Sequence, residues 1–96
     1  MPLPFRAGGP EVIRYLAHAE EAMRRRGLLP AWIEAAIGTP DWTTPDPGHP
    51  DRMRSFKMLE VAGGRVLRVV HWTDGADVVV LTAMLDRDAL KQRSRP

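Results

Sequence analysis

The residues of this chain best suited to chemistry are one histidine and a set of cations. His18 and Arg25 stand seven residues apart, two turns of a helix, and so point roughly the same way. Histidine titrates near neutrality and can give or take a proton. The guanidinium fork of arginine can hold two phosphate oxygens. Cleavage of RNA through its 2′-hydroxyl needs a base for that hydroxyl, an acid for the leaving 5′-oxygen and cations for the extra charge on the phosphate. His18 is the candidate acid or base, and Arg25, Arg54, Lys57 and Arg68 are candidate phosphate holders. Arg54 and Lys57, Arg68, and Thr82 come from three strand-like segments and could converge on one face. A plainer role is open for each. His18 can be a surface histidine paired with Glu21 or Arg14, and Thr82 a β-favouring residue on a half-buried strand. Trp42 can stack a base or anchor a protein partner, whereas Trp32 reads as packing.

Other chemistries lack their residues. His18, His49 and His71 fall in three separate elements with no ligand spacing, so no metal and no cofactor is expected. His71, between Val70 and Trp72, reads as a half-buried strand histidine. There is no cysteine, and the serines Ser55 and Ser94 stand in no nucleophile elbow. Gly63-Gly64 fits a hairpin turn better than a phosphate loop.

The elements that must position these residues follow from hydrophobic spacing. Val12, Leu16, Ala19 and Met23 mark one face of a helix over residues 11–26, opened by Pro10 and closed by Gly27. Leu29, Ile33, Ala36 and Ile37 mark a second helix over 30–37, stopped by Gly38 and Pro40. Residues 39–51, with Pro40, Pro45, Pro47 and Pro50, read as a loop in which Trp42-Thr43-Thr44 could form a short edge strand. Strands are expected over 52–61, 65–72 and 77–84. In the second, Leu67, Val69 and His71 share a face; in the third, Val78, Val80, Thr82 and Met84 do. The expected fold is α+β: two N-terminal helices packed on a three- or four-stranded antiparallel sheet. Residues 1–9 read as a flexible arm, 10–86 as one domain and 87–96 as a basic tail that could hold one helical turn.

Composition is that of a single small domain. Of 96 residues, 44% are hydrophobic, which excludes wholesale disorder. The formal charge is only +2, but the cations are clustered: Arg24-Arg25-Arg26, then Arg52, Arg54 and Lys57, then Arg65 and Arg68, then Lys91, Arg93 and Arg95. Such clusters attract phosphate backbones or keep a small protein soluble. The first residues lack the apolar run of a signal peptide, and Val78–Leu81 is too short to cross a bilayer. With no cysteine, a cytoplasmic location and no membrane contact are expected.

Several stretches in order resemble a known family. His18-Ala19-Glu20-Glu21-Ala22-Met23-Arg24-Arg25-Arg26-Gly27-Leu28 is similar to the helix H-A-x-x-R-M-x-x-R-G, followed by Ile or Leu, of a widespread small bacterial domain of unknown function. Ile37-Gly38-Thr39-Pro40, then Gly64-Arg65-Val66-Leu67-Arg68-Val69-Val70, then Val79-Val80-Leu81-Thr82-Ala83 match its later pieces, so the likeness spans about residues 11–85. That family looks like the RelE and BrnT toxins of a ribonuclease-like superfamily. The resemblance implies a RelE-like topology, metal-independent action on RNA or the ribosome, an antitoxin partner, and a role for Thr82 at the matching Thr. The chain departs from the pattern at Ala22, where the family has an arginine beside the histidine. That departure favours a weak or degenerate ribonuclease. The alternatives are a non-catalytic protein-binding module and a homodimer joined through a strand edge.

Overall fold

The computed structural model describes residues 12–94. The arm at 1–9 and the Pro10-Glu11 helix start lie outside the described residues. The element order is β1 (Ile13–Tyr15), α1 (Ala17–Arg26), α2 (Pro30–Gly38), β2 (Trp42–Asp46), β3 (His49–Leu59), β4 (Arg65–Asp74), β5 (Asp77–Asp86) and α3 (Ala89–Ser94). The strands form one five-stranded sheet in the order β1-β5-β4-β3-β2. β1 runs parallel to β5, and every other neighbour is antiparallel. The fold class is α+β, but the expected three- or four-stranded antiparallel sheet behind two helices is wrong. The sheet is larger and mixed, a strand precedes the helices, and a third helix follows the sheet.

The missed strand has a physical reason. Ile13 and Tyr15 flank Arg14 in strand alternation, but three residues are too few to stand out against the helical spacing of Val12, Leu16, Ala19 and Met23 around them. The edge of β5 would otherwise leave main-chain groups unpaired. They are taken up by β1 and its flanks: Val78 N–H donates to Val12 O at 2.9 Å and Leu16 N–H donates to Val80 O at 3.1 Å. Helix α1 therefore starts only at Ala17. Val12 and Leu16, expected in its buried stripe, stay 49% and 38% exposed. Ala19, Ala22 and Met23 form the inward face instead. Gly27, at φ 68, closes the helix and donates its N–H to Met23 O.

Helix α2 begins with Pro30 and buries Ile33 and Ala36. Leu29, placed in its stripe from sequence, precedes the helix and is exposed. The expected loop over 39–51 is mostly strand: β2 pairs with β3 from Trp42↔Phe56 onward. Pro45 is tolerated because β2 is an edge strand.

A bulge decides the faces of β5. Val70 pairs with Thr82 but His71 pairs with Val80, which leaves Leu81 as the extra residue. Val80 and Ala83 consequently lie in the main core with Leu67 and Val69, beneath α1 and α2. Thr82 and Met84 lie on the other face, so the expected shared face of Val78, Val80, Thr82 and Met84 is corrected. A smaller cluster on that other face joins Phe56, Val66 and Ala89, with Trp42 against it. Ala89 is fully buried there, so packing continues past Asp86.

Candidate nucleic-acid interface

Strand register separates the residues that sequence grouped together. One cross-strand row is Trp42–Phe56–Arg68–Met84 and the next is Thr44–Arg54–Val70–Thr82. These rows face away from α1 and α2. Lys57 pairs with Leu67, a core residue of the helix side. Its Nζ donates to Thr39 O at 2.8 Å, at the end of α2. Arg54 and Lys57 are three apart, and so are Arg65 and Arg68; an odd separation on a strand puts the two side chains on opposite faces. His18 and Arg25 are exposed on α1, which packs on β5 from the helix side. The sheet thus stands between His18 and the set Arg54, Arg68 and Thr82. His18 and Arg25 share α1, across the sheet from Arg54, Arg68 and Thr82, while Lys57 lies on the helix side at the end of α2.

The cations on the open face already have partners. Arg54 Nε donates to Asp46 Oδ1 at 2.9 Å, and His49 Nδ1 lies 3.2 Å from Asp46 Oδ2. Burial alone would raise the Asp46 carboxyl, but the bonds from His49 and Arg54 outweigh it and hold it below the usual carboxylate range. Arg68 Nη1 sits 3.2 Å from Asp86 Oδ2, and its Nη2 is 2.7 Å from Met84 Sδ. Trp42 lies flat on Phe56, with centroids 4.7 Å apart and planes 5° from parallel, so its ring is fixed by packing and is not in a mobile loop. Arg52 lies over Trp72 at 5.5 Å.

The cations without carboxylate partners lie elsewhere, at one end of the sheet. Helix α1 runs in the same sense as β5: it starts beside Val80, and at its end Arg26 Nη1 donates to Ala83 O at 3.1 Å. This carries Arg24 and Arg25 toward the end where β4 begins at Arg65 and β5 gives way to Arg87. Lys91 follows in α3. Among the described residues, none of Arg24, Arg25, Arg65, Arg87 and Lys91 makes an ion pair. Arg65 only donates its Nε to Ala62 O at 3.2 Å. The hairpin ends opposite carry Asp46, Asp51, Asp74 and Asp77, and there Arg14 is bound to Asp74, with Asp77 at 3.6 Å. The sorting of charge is partial: Glu60, Asp86 and Asp88 lie at the same end as Arg65 and Arg87, and Arg52 and Arg54 lie toward the other end with Asp46 and Asp51. By sequence alone Arg87 and Lys91 read as tail residues. The signal that could have found them is their position just past the last strand, at the same end as the start of β4.

On the helix face, Ser55 Oγ and His71 Nε2 are 2.7 Å apart, and Ser55 is buried. His71 Nδ1 and Tyr15 Oη are buried without a hydrogen-bond partner. Burial pushes the His71 pKa down, and burial followed by the Glu34 carboxylate pushes the Tyr15 hydroxyl up. A histidine with a depressed folded pKa stabilises the fold above its unfolded pKa, about 6.5. That stability is lost as pH falls below about 6.5, because the unfolded chain takes up the proton first. Urea midpoints should therefore drop between pH 7.5 and pH 5 in the wild type. His71→Gln should flatten this dependence, and an unchanged slope would remove His71 as its source.

No group of three potential metal ligands occurs among the described residues, and none of the described helices is long and apolar enough to cross a membrane. Searches against family models, curated proteins and solved structures found no match for this chain.

Proposed function

We propose that this domain engages RNA, free or on the ribosome, through its basic end, as a toxin-type domain degenerate in acid–base cleavage. The observation that carries the reading is that Arg24, Arg25, Arg65, Arg87 and Lys91, none with a carboxylate partner among the described residues, all lie toward one end of the sheet, Arg24 and Arg25 on α1 over one face and Lys91 on α3 over the other. Unpaired cations held together on a rigid frame release counterions when they meet phosphates, and this drives sequence-independent binding. The motif likeness to a domain family that resembles the RelE and BrnT toxins supports the same substrate class. Separation of His18 from Arg54, Arg68 and Thr82 argues against cleavage. Under this reading the chain works in the cytoplasm, and an acidic antitoxin segment would compete for the same end.

A homodimer built by strand pairing is less well supported. Edge strand β1 has three residues, and β2 carries Pro45, so both edges are poor templates.

The test is fluorescence anisotropy with a labelled 12-nucleotide single-stranded RNA between 50 and 300 mM salt. Four or five phosphate contacts give a log–log slope of about −3. His18→Ala should bind within about twofold of wild type, and no cleavage products should accumulate. Absence of salt-dependent binding would sink the RNA reading. Cleavage lost in His18→Ala would restore the enzymatic one.

A further inference from the structure

We propose that the cleft beside the start of α3 is a nucleotide pocket, which seats one ribonucleotide with its base on an apolar floor and its phosphate at Arg65 and Arg87. This rests on the RNA reading and adds where a base is taken up and by which groups. The cleft encloses ≈400 Å³. Small-molecule sites span about 300–1,000 Å³, so one nucleotide is an appropriate occupant.

The lining has two chemistries. Leu90, which is exposed, and Leu85, which is half-buried, supply the accessible apolar surface, with buried Val66 behind them. Arg65 and Arg87 supply positive charge at the same cleft, and neither has a carboxylate partner among the described residues. The bond from Arg65 Nε to Ala62 O orients that guanidinium and leaves its terminal nitrogens for an anion. Gly63 and Gly64 form another wall, at φ +73 and +83, with open space where a side chain would stand. Bare backbone of this kind allows a flat ring to approach closely. The remaining wall is Asp86, whose ion pair with Arg68 divides the cleft from the open sheet face.

These features select an amphiphilic anion with a flat apolar body. A free phosphate would leave the apolar surface of Leu85 and Leu90 unused. A neutral aromatic would leave both arginines unmatched. A nucleotide satisfies both, and a strand held by the surrounding cations of the basic end delivers one to the cleft.

The test is a backbone-amide NMR titration of the full chain with AMP, UMP, ribose 5-phosphate and inorganic phosphate. AMP or UMP should shift the amides of Gly63, Gly64, Val66 and Leu90, at least tenfold more tightly than ribose 5-phosphate or phosphate. Leu90→Glu, a change at an exposed position, should remove the base-dependent gain, and Arg87→Ala should weaken all phosphate-bearing probes together. Equal binding of ribose 5-phosphate and AMP, no binding, or shifts confined to other regions would each overturn the pocket. The 12-nucleotide RNA, measured on the same samples, separates the two proposals. Salt-dependent RNA binding with no base effect in the cleft removes the pocket alone. Nucleotide binding in the cleft without RNA binding keeps the pocket and removes the RNA reading.

Discussion

Reversal of Arg25, Arg65 and Arg87 together to glutamate is expected to lower affinity for single-stranded RNA roughly 100-fold at 0.1 M salt. Each phosphate contact to a single strand contributes about 0.7 to the salt slope, so losing three removes about 2. Extrapolated from 1 M to 0.1 M salt, a slope change of about 2 is two decades in the binding constant. Repulsion by the new carboxylates adds to this. All three arginines are exposed and lack ion pairs, so the fold should survive. The cost in stability is about 1 kcal/mol, largely from a negative charge placed in the last turn of α1. Anisotropy against salt and a thermal melt of the same preparation check both halves. A control reversal of Arg54 should change RNA affinity little, because its charge is already met by Asp46. If Arg54→Glu matched the triple variant, the open sheet face, not the basic end, would be the RNA surface.

Ala22→Arg should be the most destabilising of these substitutions. It restores the arginine of the family's helix pattern, yet Ala22 is 0% exposed on the inward face of α1. An arginine there must overfill a packed seam and bury a charge with no partner. The two effects together cost about 4 kcal/mol or more, against a total stability of about 5–15 kcal/mol for a small domain. Melting should fall by about 15–30 °C. Glu21→Arg, one position away on the exposed surface, is the control and should melt near wild type. A stable Ala22→Arg protein would mean that α1 is not seated on this face.

The bodies of α1 and α2, the turns at Gly27 and Gly63-Gly64, and three of the strands were legible in the sequence, because local spacing and backbone demands determine them; the start of α1 was not. Strand β1 was not. Ile13, Arg14 and Tyr15 are too few to stand out against the helical spacing around them, and only the unmet edge of β5 decides for a strand. The bulge at Leu81 was also invisible. One extra residue opposite β4 moves Thr82 to the face away from the helices, and no local pattern announces it. For the candidate site, residue types were legible and their meeting was not. Arg54 and Arg68 are cations by type, but their diagonal neighbours, Asp46 and Asp86 respectively, neutralise them.

The opening pair, His18 and Arg25, shows the division most clearly. The sequence by itself determined that they share a helix and point to solvent, since 3.6-residue periodicity is a local property. Only the tertiary structure decided what they could work with. The sheet lies between His18 and Arg68, while the end of α1 brings Arg25 to the same end of the fold as Arg65 and Arg87. Which groups meet depends on strand order and register, and these are set by pairings between segments far apart in the chain.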